Sequence, residues 1–394
     1  MLHKINLPNC EEQFEKIFAF QRQVLAFACD PKTSLSAEGA IVENEIYSKF
    51  SGDLGVWLWK KLRVHKKDDS WEQSDLQKGL VKLIKAAQAN RTVSLVVLDV
   101  FDHDIQFCNC FNHPTFEFWY KTRLNDVPIQ EALKDLMEVF YTKLLEDGFP
   151  KAVHGNAESF KRVDFVSEFW RVNDDIEVCP ACDSPRPARV QRLTGKGRNQ
   201  KEQTKIYGNL DHFFPKRKYP FLSVHYANLV SLCLECNLTF KQEEDPVDIN
   251  NSSQPLVHTF IPYFNPAIDS VEIKVTRNKE GVHLPSITEK DGTSSRRIDN
   301  LNRVFKLEAR WRDKLRYVIA TIRDGLSEEG RRLSRRSGEL NEQDLQDILE
   351  DMLAERRNSQ KGTIHYGILK NSYLSFAIEE EAEIAELFAQ FTGS

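Results

Sequence analysis

Two C-x-x-C pairs, Cys179 with Cys182 and Cys233 with Cys236, limit what this chain can fold into more than any other feature. Four thiolates on two tight turns can close a tetrahedral site around one Zn²⁺ ion. The 50 residues that separate Cys182 from Cys233 exceed the gap of a simple zinc ribbon. A closed site would therefore enclose a separate structural element and staple a unit with little core of its own. The alternative is four buried free thiols. The polar character of the enclosed segment weighs against it, so structural zinc on Cys179, Cys182, Cys233 and Cys236 is the expectation. The other cysteines, Cys10, Cys29, Cys108 and Cys110, are scattered.

At 394 residues the chain is too long for one ordinary core. Three stretches are expected: a mainly helical region over 1–170, the zinc-stabilised module over 171–245, and an α+β or helical region over 246–394. With 41% hydrophobic and 29% charged residues the composition is that of a globular chain, not a disordered one. The expected fold class is α+β, mostly α-helical. The first residues lack the continuous apolar segment of a signal peptide. No apolar run reaches the length of a membrane span. A cytoplasmic protein with no membrane partner is expected.

Helical spacing of apolar residues predicts helices over 11–28, 41–62 with a break at Gly52 to Gly55, 74–90, 128–147 and 159–170. Ser94 to Leu98 reads as a buried strand, as do Val257 to Phe264 and Ser270 to Val275. A long helix is expected over 297–322, ended by the arginine-rich stretch Gly325 to Gly338, with further helices over 341–357 and 372–391. Residues 99–114 read as irregular. They hold Asp102-His103, Cys108, Cys110 and His113, where a second metal site competes with a loop holding two buried thiols. The spacing there matches no zinc knuckle. Residues 1–170 carry no motif that translates into chemistry.

Between the cysteine pairs, Ile206 to Leu210 is a short strand candidate that delivers Asp211 and His212. Ala227 to Leu232 is a second. Cys233 starts a short helix that presents Asn237 and, one turn later, Lys241. The pattern is a β-hairpin backed by a helix, on which Asp211, His212 and Asn237 can converge. His225 reads as a surface or loop residue. Asp102-His103 mimics the Asp-His pair but lacks the downstream asparagines.

Cys179-x-x-Cys182, Leu210-Asp211-His212-Phe213-Phe214-Pro215, Asn228-Leu229-Val230 and Cys233-x-x-Cys236-Asn237 with Lys241 together resemble the HNH endonuclease superfamily. The likeness is to the ββα-metal form stabilised by a four-cysteine zinc site. It is confined to Cys179–Lys241, with a fainter similarity at Phe260 to Phe264 to a stretch that follows the motif in larger members. The resemblance implies that His212 is the general base and that Asp211 and Asn237 hold one divalent metal, Mg²⁺ or Mn²⁺. It gives Asn228 the task of pinning the loop that orients His212, and Lys241 that of contacting a phosphate. Asp211 and Asn237 stand where some members have histidines, which favours hard metals. The implied activity is hydrolysis of DNA phosphodiester bonds, one strand per site. Members of this size are often effectors of bacterial anti-phage or restriction systems, at times with an ATPase partner.

Charge is placed to suit that reading. The chain is net −5, yet the 33 residues from Arg186 to Lys218 hold ten basic and two acidic residues. Lys216, Arg217, Lys218, Arg198 and Lys201, with Lys241, are the candidate contacts to a DNA backbone. The competing reading of this tract, and of Arg331 to Arg336, is a solvated charge run. A zinc-stabilised module that binds nucleic acid without cutting it, and an RNA-cleaving effector, are the alternative functions.

Overall fold

The apolar spacing of residues 11–28 is realised as helix α1 (Glu11–Cys29), whose buried face carries Phe14, Ile17, Phe18, Val24 and Leu25. The structure is a computed structural model, and it describes residues 2–67, 69–155, 158–186, 188–194, 201–207, 209–249, 252–253, 255–290, 292, 295–337, 341–358 and 362–392. Only the backbone is described at 188–194, 201–207, 209, 248–249, 252–253, 336–337 and 356–358.

Helix α2 (Asp75–Ala89) begins at Ser74, whose hydroxyl accepts the Gln77 N–H at 3.2 Å. Helix α3 (Val127–Val139) begins at Asp126, whose carboxylate accepts the Ile129 N–H at 2.9 Å. It runs on through a π-helical turn, Phe140–Leu144. α2 and α3 pack closely at Gly79, where a Cβ would lie 3.2 Å from the Leu136 Cα. Helix α4 (Arg162–Val172) leads into the first cysteine pair.

Ser94 to Leu98 is not a strand. Two short helices, Arg91–Ser94 and Val97–Asp104, occupy the region, and Leu95 is 74% exposed. The Asn90 side chain accepts the Val93 N–H and starts the first. Val97, Val100 and Phe101 then face inward at helical spacing. A third short helix, Phe107–Cys110, continues into the stretch expected to be irregular.

Strands occur as antiparallel pairs: β1 (Arg63–His65) with β2 (Trp71–Gln73), β3 (Ala188–Thr194) with β4 (Lys201–Tyr207), β5 (Asn209–His212) with β6 (Leu229–Leu232), β7 (Asp248–Ile249) with β8 (Ser252–Ser253), and β9 (Val271–Arg277) with β10 (His283–Glu289). The mostly helical α+β class is therefore the observed one. Val257 to Phe264 is not a strand: a single 3₁₀ turn, Leu256–His258, passes into turns. There the Asn265 side chain accepts the Ile261 N–H, and the Tyr263 hydroxyl donates to the Leu229 carbonyl at the start of β6.

The long C-terminal helix is two helices, α5 (Ser295–Phe305) and α6 (Leu307–Ser337), separated by Lys306 at φ +52°. α6 does not stop at Gly325. It runs through the arginine-rich stretch, and Gly330 lets it meet Phe391, whose carbonyl oxygen would be 2.4 Å from a Cβ at that position. Helix α7 (Glu342–Asn358) follows. The expected terminal helix is also two, α8 (Gly367–Glu379) and α9 (Glu381–Thr392), parted by an extended Glu380.

One contiguous cluster of buried apolar residues runs through all three stretches of the chain. Backbone bonds cross between them as well: Leu2 and His3 N–H donate to the Pro180 carbonyl, and Leu256 N–H to that of Phe116. Among the described residues no helix is long and apolar enough to cross a membrane.

Candidate active site

The four cysteines of the two pairs lie together, buried, with their sulfurs within 4.8 Å of one another. Cys182 Sγ and Cys233 Sγ are 3.8 Å apart, the separation that Zn–S bonds of about 2.3 Å in a tetrahedron require. The first pair forms a knuckle: Cys182 and Asp183 N–H both point to the Cys179 carbonyl, and Asp183 sits at φ +64°. Cys236 N–H points to Cys233 Sγ, and Cys233 N–H to Cys179 Sγ. Burial pushes the Cys179 thiol well above its ordinary range, aided by its sulfur neighbours. Four thiols this close ionise together only with a cation among them, so the donor set fits a structural zinc ion. Among the described residues this is the one such cluster. Cys108, Cys110 and His113 do not form another, and His113 Nδ1 instead lies 3.4 Å from the Thr115 N–H.

Residues that sequence reasoning missed surround the sulfurs. Ser184 Oγ is 3.0 Å from Cys182 Sγ, and Arg310 Nη1 donates to Cys236 Sγ at 3.2 Å while Nη2 pairs with Glu235 at 2.9 Å. Trp311 Nε1 donates to the Cys182 carbonyl at 3.1 Å. Such outer partners orient metal ligands. Only Ser184, two residues past Cys182, was within reach of local reasoning.

The enclosed element is the β5–β6 hairpin, with Asp211 opposite Val230 and His212 opposite Leu229. A π-helical segment, Glu235–Lys241, follows, and the Gln242 N–H donates to the Asn237 carbonyl across its last turn. Asp211 Oδ1 accepts the His212 N–H at 2.8 Å. Asp211 Oδ2 lies 3.2 Å from Lys241 Nζ. The contact is close enough for charge attraction, but its angle makes no hydrogen bond, so Oδ2 is a buried oxygen without a hydrogen-bond partner. Burial pushes the Asp211 carboxyl above its ordinary range, and the Lys241 ammonium pulls it back. The carboxylate is a hard oxygen donor, and a divalent cation on it would share Oδ2 with, or displace, the Lys241 ammonium.

Lys241 departs from expectation. It is fully buried beside Asp211 rather than presented to a phosphate on the surface. Asn237 is half-buried and four residues before Lys241, which places it on the same side of the segment, and its side-chain amide makes no hydrogen bond among the described residues.

His212 is held from two sides. Its Nε2 donates to the Ser223 carbonyl at 2.7 Å, and its ring meets Tyr141 edge-on at 4.3 Å. Nε2 therefore carries the proton and Nδ1 keeps its lone pair. Burial lowers the His212 pKa to about 3, with further lowering from Lys216, Lys241 and Arg162. The imidazole is thus neutral at physiological pH.

Asn228 spends its whole amide on the loop between the strands. Oδ1 accepts the Phe214 N–H at 2.6 Å, and Nδ2 donates to the Phe214 and Leu222 carbonyls at 3.0 and 2.9 Å. Ser223, next to Leu222, supplies the carbonyl that holds His212, and its hydroxyl donates to the Met137 carbonyl on α3. Asn228 thus acts on His212 through Ser223. Tyr141 and Ser223 had no signal in the sequence, because both reach the site only through tertiary packing.

His225 is not a surface residue. It is buried, stacked on Phe18 and on Tyr226 at 4.8 Å each, and its Nε2 donates to the Ile105 carbonyl. Burial lowers its pKa to about 3. An unfolded imidazole takes its proton near pH 6.5, so protonation favours the unfolded chain below that pH. The stability contributed by His225 is full above about pH 6.5 and falls away towards pH 3. The melting temperature is expected to drop as pH is lowered from 7 to 5, and His225→Phe to flatten that slope. An unchanged slope in the variant would refute the assignment.

The basic contacts are partly spoken for. Lys216 and Arg217 share Glu138, at 3.1 and 3.6 Å, and Arg186 pairs with Glu177 at 2.6 Å. Lys218 is half-buried. Arg198 lies outside the described residues, and of Lys201 only the backbone is described. Arg331, Arg332 and Arg335 are exposed on α6.

No family model matches the chain, and searches of curated proteins and of solved structures find no match.

Proposed function

We propose that this chain is a metal-dependent endonuclease that hydrolyses DNA phosphodiester bonds at an HNH-type site on the β5–β6 hairpin. The observation that carries the reading is the placement of Asp211 and His212. The first is a buried carboxylate ion-paired with Lys241, and the second, next to it in the strand, is a neutral imidazole with Nδ1 unprotonated. Asp211 and Asn237 would hold one Mg²⁺ or Mn²⁺ ion, which when bound supplies a Lewis acid for the scissile phosphate. His212 Nδ1 takes the proton of the attacking water. Ser223 and, behind it, Asn228 keep the ring in the tautomer that can do so. Lys241 contributes positive charge from beneath Asp211, not from the surface. Lys216, Arg217 and Lys218, on the loop after His212, would be the contacts to a DNA backbone, the first two exchanging Glu138 for phosphate. The four-cysteine site holds structural zinc and anchors the strands' far end.

The test is incubation of supercoiled plasmid with the protein, with and without Mg²⁺, alongside matched DNA and RNA strands. Conversion of plasmid to nicked or linear form only with Mg²⁺, and sparing of RNA, is expected. Binding without cleavage would make the protein a zinc-stabilised binding module. Cleavage of RNA alone would make it an RNA-directed effector.

A further inference from the structure

Two cations reach the surroundings of His212 from different stretches of the chain, and they meet on one ring. Tyr141, in the π-helical turn after α3, is buried against the His212 ring, and its hydroxyl donates to the Leu210 carbonyl at 3.5 Å. The Lys216 ammonium, on the loop after His212, stands over the Tyr141 ring at 5.2 Å from its centre. The Arg162 guanidinium, at the first residue of α4, stands over the same ring at 5.7 Å. Both distances are within the range of cation–ring attraction, which fixes the charged ends of two long side chains here. Both charges are felt at the imidazole: burial is the first cause of its lowered pKa, and Lys216 and Arg162 lower it further.

The carboxylates that hold these cations belong to one helical run. Glu138 of α3 takes Lys216 at 3.1 Å, and Glu146, just past the π-helical turn, takes Arg162 at 2.8 Å. The Arg162 and Glu146 side chains are 39% and 52% exposed. Ion pairs so open to water are weak, screened by salt and readily exchanged. A DNA phosphate has two advantages over Glu146 in that exchange. It accepts the flat guanidinium fork on two oxygens, and its binding releases counterions condensed on the strand.

We infer that Arg162 binds a backbone phosphate of DNA beside His212, in exchange for Glu146. The inference rests on the reading of the β5–β6 hairpin as a DNA-cleaving site. It gives the stretch 1–170, where the sequence carries no chemical motif, a direct part in holding the substrate. Arg162 extends the basic surface of Lys216 and Arg217 onto an element that is distant in sequence, and each of these three cations is held by a carboxylate until phosphate arrives.

The experiment is binding of a fluorescently labelled DNA duplex to the full chain, read by anisotropy without added Mg²⁺ over a series of salt concentrations. Arg162→Gln should weaken binding about tenfold at about 0.1 M salt. It should also lower the slope of log affinity against log salt by about one, the share of a single phosphate contact. Arg162→Lys keeps the charge and should keep the slope. Glu146→Gln frees the guanidinium and should tighten binding, but only while Arg162 is present. The double variant, Glu146→Gln with Arg162→Gln, should therefore bind as Arg162→Gln alone does. A melting curve for each variant checks the fold. Natural affinity and slope in Arg162→Gln would overturn the inference, even if the natural chain cuts DNA. So would tightening by Glu146→Gln that is equal with and without Arg162, because net charge alone would then account for it. A natural chain that binds no duplex would overturn the inference together with the nuclease reading. Binding that follows the expected pattern, with no strand cut in Mg²⁺, would remove the nuclease reading and keep Arg162 as a DNA contact.

Discussion

Alanine at position 212 is expected to lower Mg²⁺-dependent strand cleavage by about 10²–10⁴-fold, the usual loss when a general base is removed. The imidazole is the one group at the site that is both neutral at physiological pH and fixed with a free lone pair. Its removal leaves the Ser223 carbonyl unpaired and a space beside Tyr141, so the fold must be checked separately. His212→Asn serves as the second variant. Its amide can donate to Ser223 but offers no comparable base. Zinc content, melting temperature and plasmid binding should persist in both variants while cleavage is lost. Full cleavage by His212→Asn, with zinc retained, would remove His212 from the chemistry.

The second large effect is expected from the cysteine site. Structural zinc contributes about 10–16 kcal/mol at neutral pH in small zinc domains, as much as the whole stability of an ordinary domain. The unit it would staple here includes a hairpin of two four-residue strands and one short helical segment. Cys182→Ser together with Cys233→Ser, or prolonged chelation, should therefore open residues 176–249 to protease and broaden or lower the thermal transition. Elemental analysis should find one zinc ion per chain before treatment. Asn237 adjoins Cys236, so cleavage should be lost with the metal even where DNA binding survives. A purified protein without zinc, whose melting is unchanged by the double substitution, would exclude the structural role.

The cysteine cluster was legible from ligand spacing, and the Asp211-His212 hairpin in part: its strand is Asn209–His212 and holds both residues, while Ile206 and Tyr207, expected in that strand, belong to β4. The long amphipathic helices were legible from local spacing too, since α1, α2 and α3 each bury one helical face. Where reading failed, tertiary partners decided. Ser94 to Leu98 is a short apolar run, which periodicity cannot divide between strand and helix. Gly325 and Gly330 look like helix breakers, but α9 packs against α6 at Gly330 and the helix continues. Lys241 looked like a surface cation because nothing in its neighbours announces Asp211, thirty residues earlier, as its partner. His225 looked exposed for want of any local sign of Phe18 and Ile105.

The cysteine knuckle is fastened by segments from far apart in the chain. The His3 imidazole meets the Asp183 carboxylate at 2.7 Å, the Tyr366 N–H donates to the Asp183 carbonyl, and the Ile368 N–H donates to the Asp183 carboxylate at 3.0 Å. Asp183 is the residue directly after Cys182, in a left-handed conformation that these partners hold in place. Contacts of such sequence separation form late, because their loop-closure entropy is lost before they are made. During synthesis the hairpin and its cysteines emerge well before residues 366–368. The candidate site therefore gains its last support only when nearly all of the chain described here is available to fold, and a nascent chain would carry Asp211 and His212 without the frame that holds them.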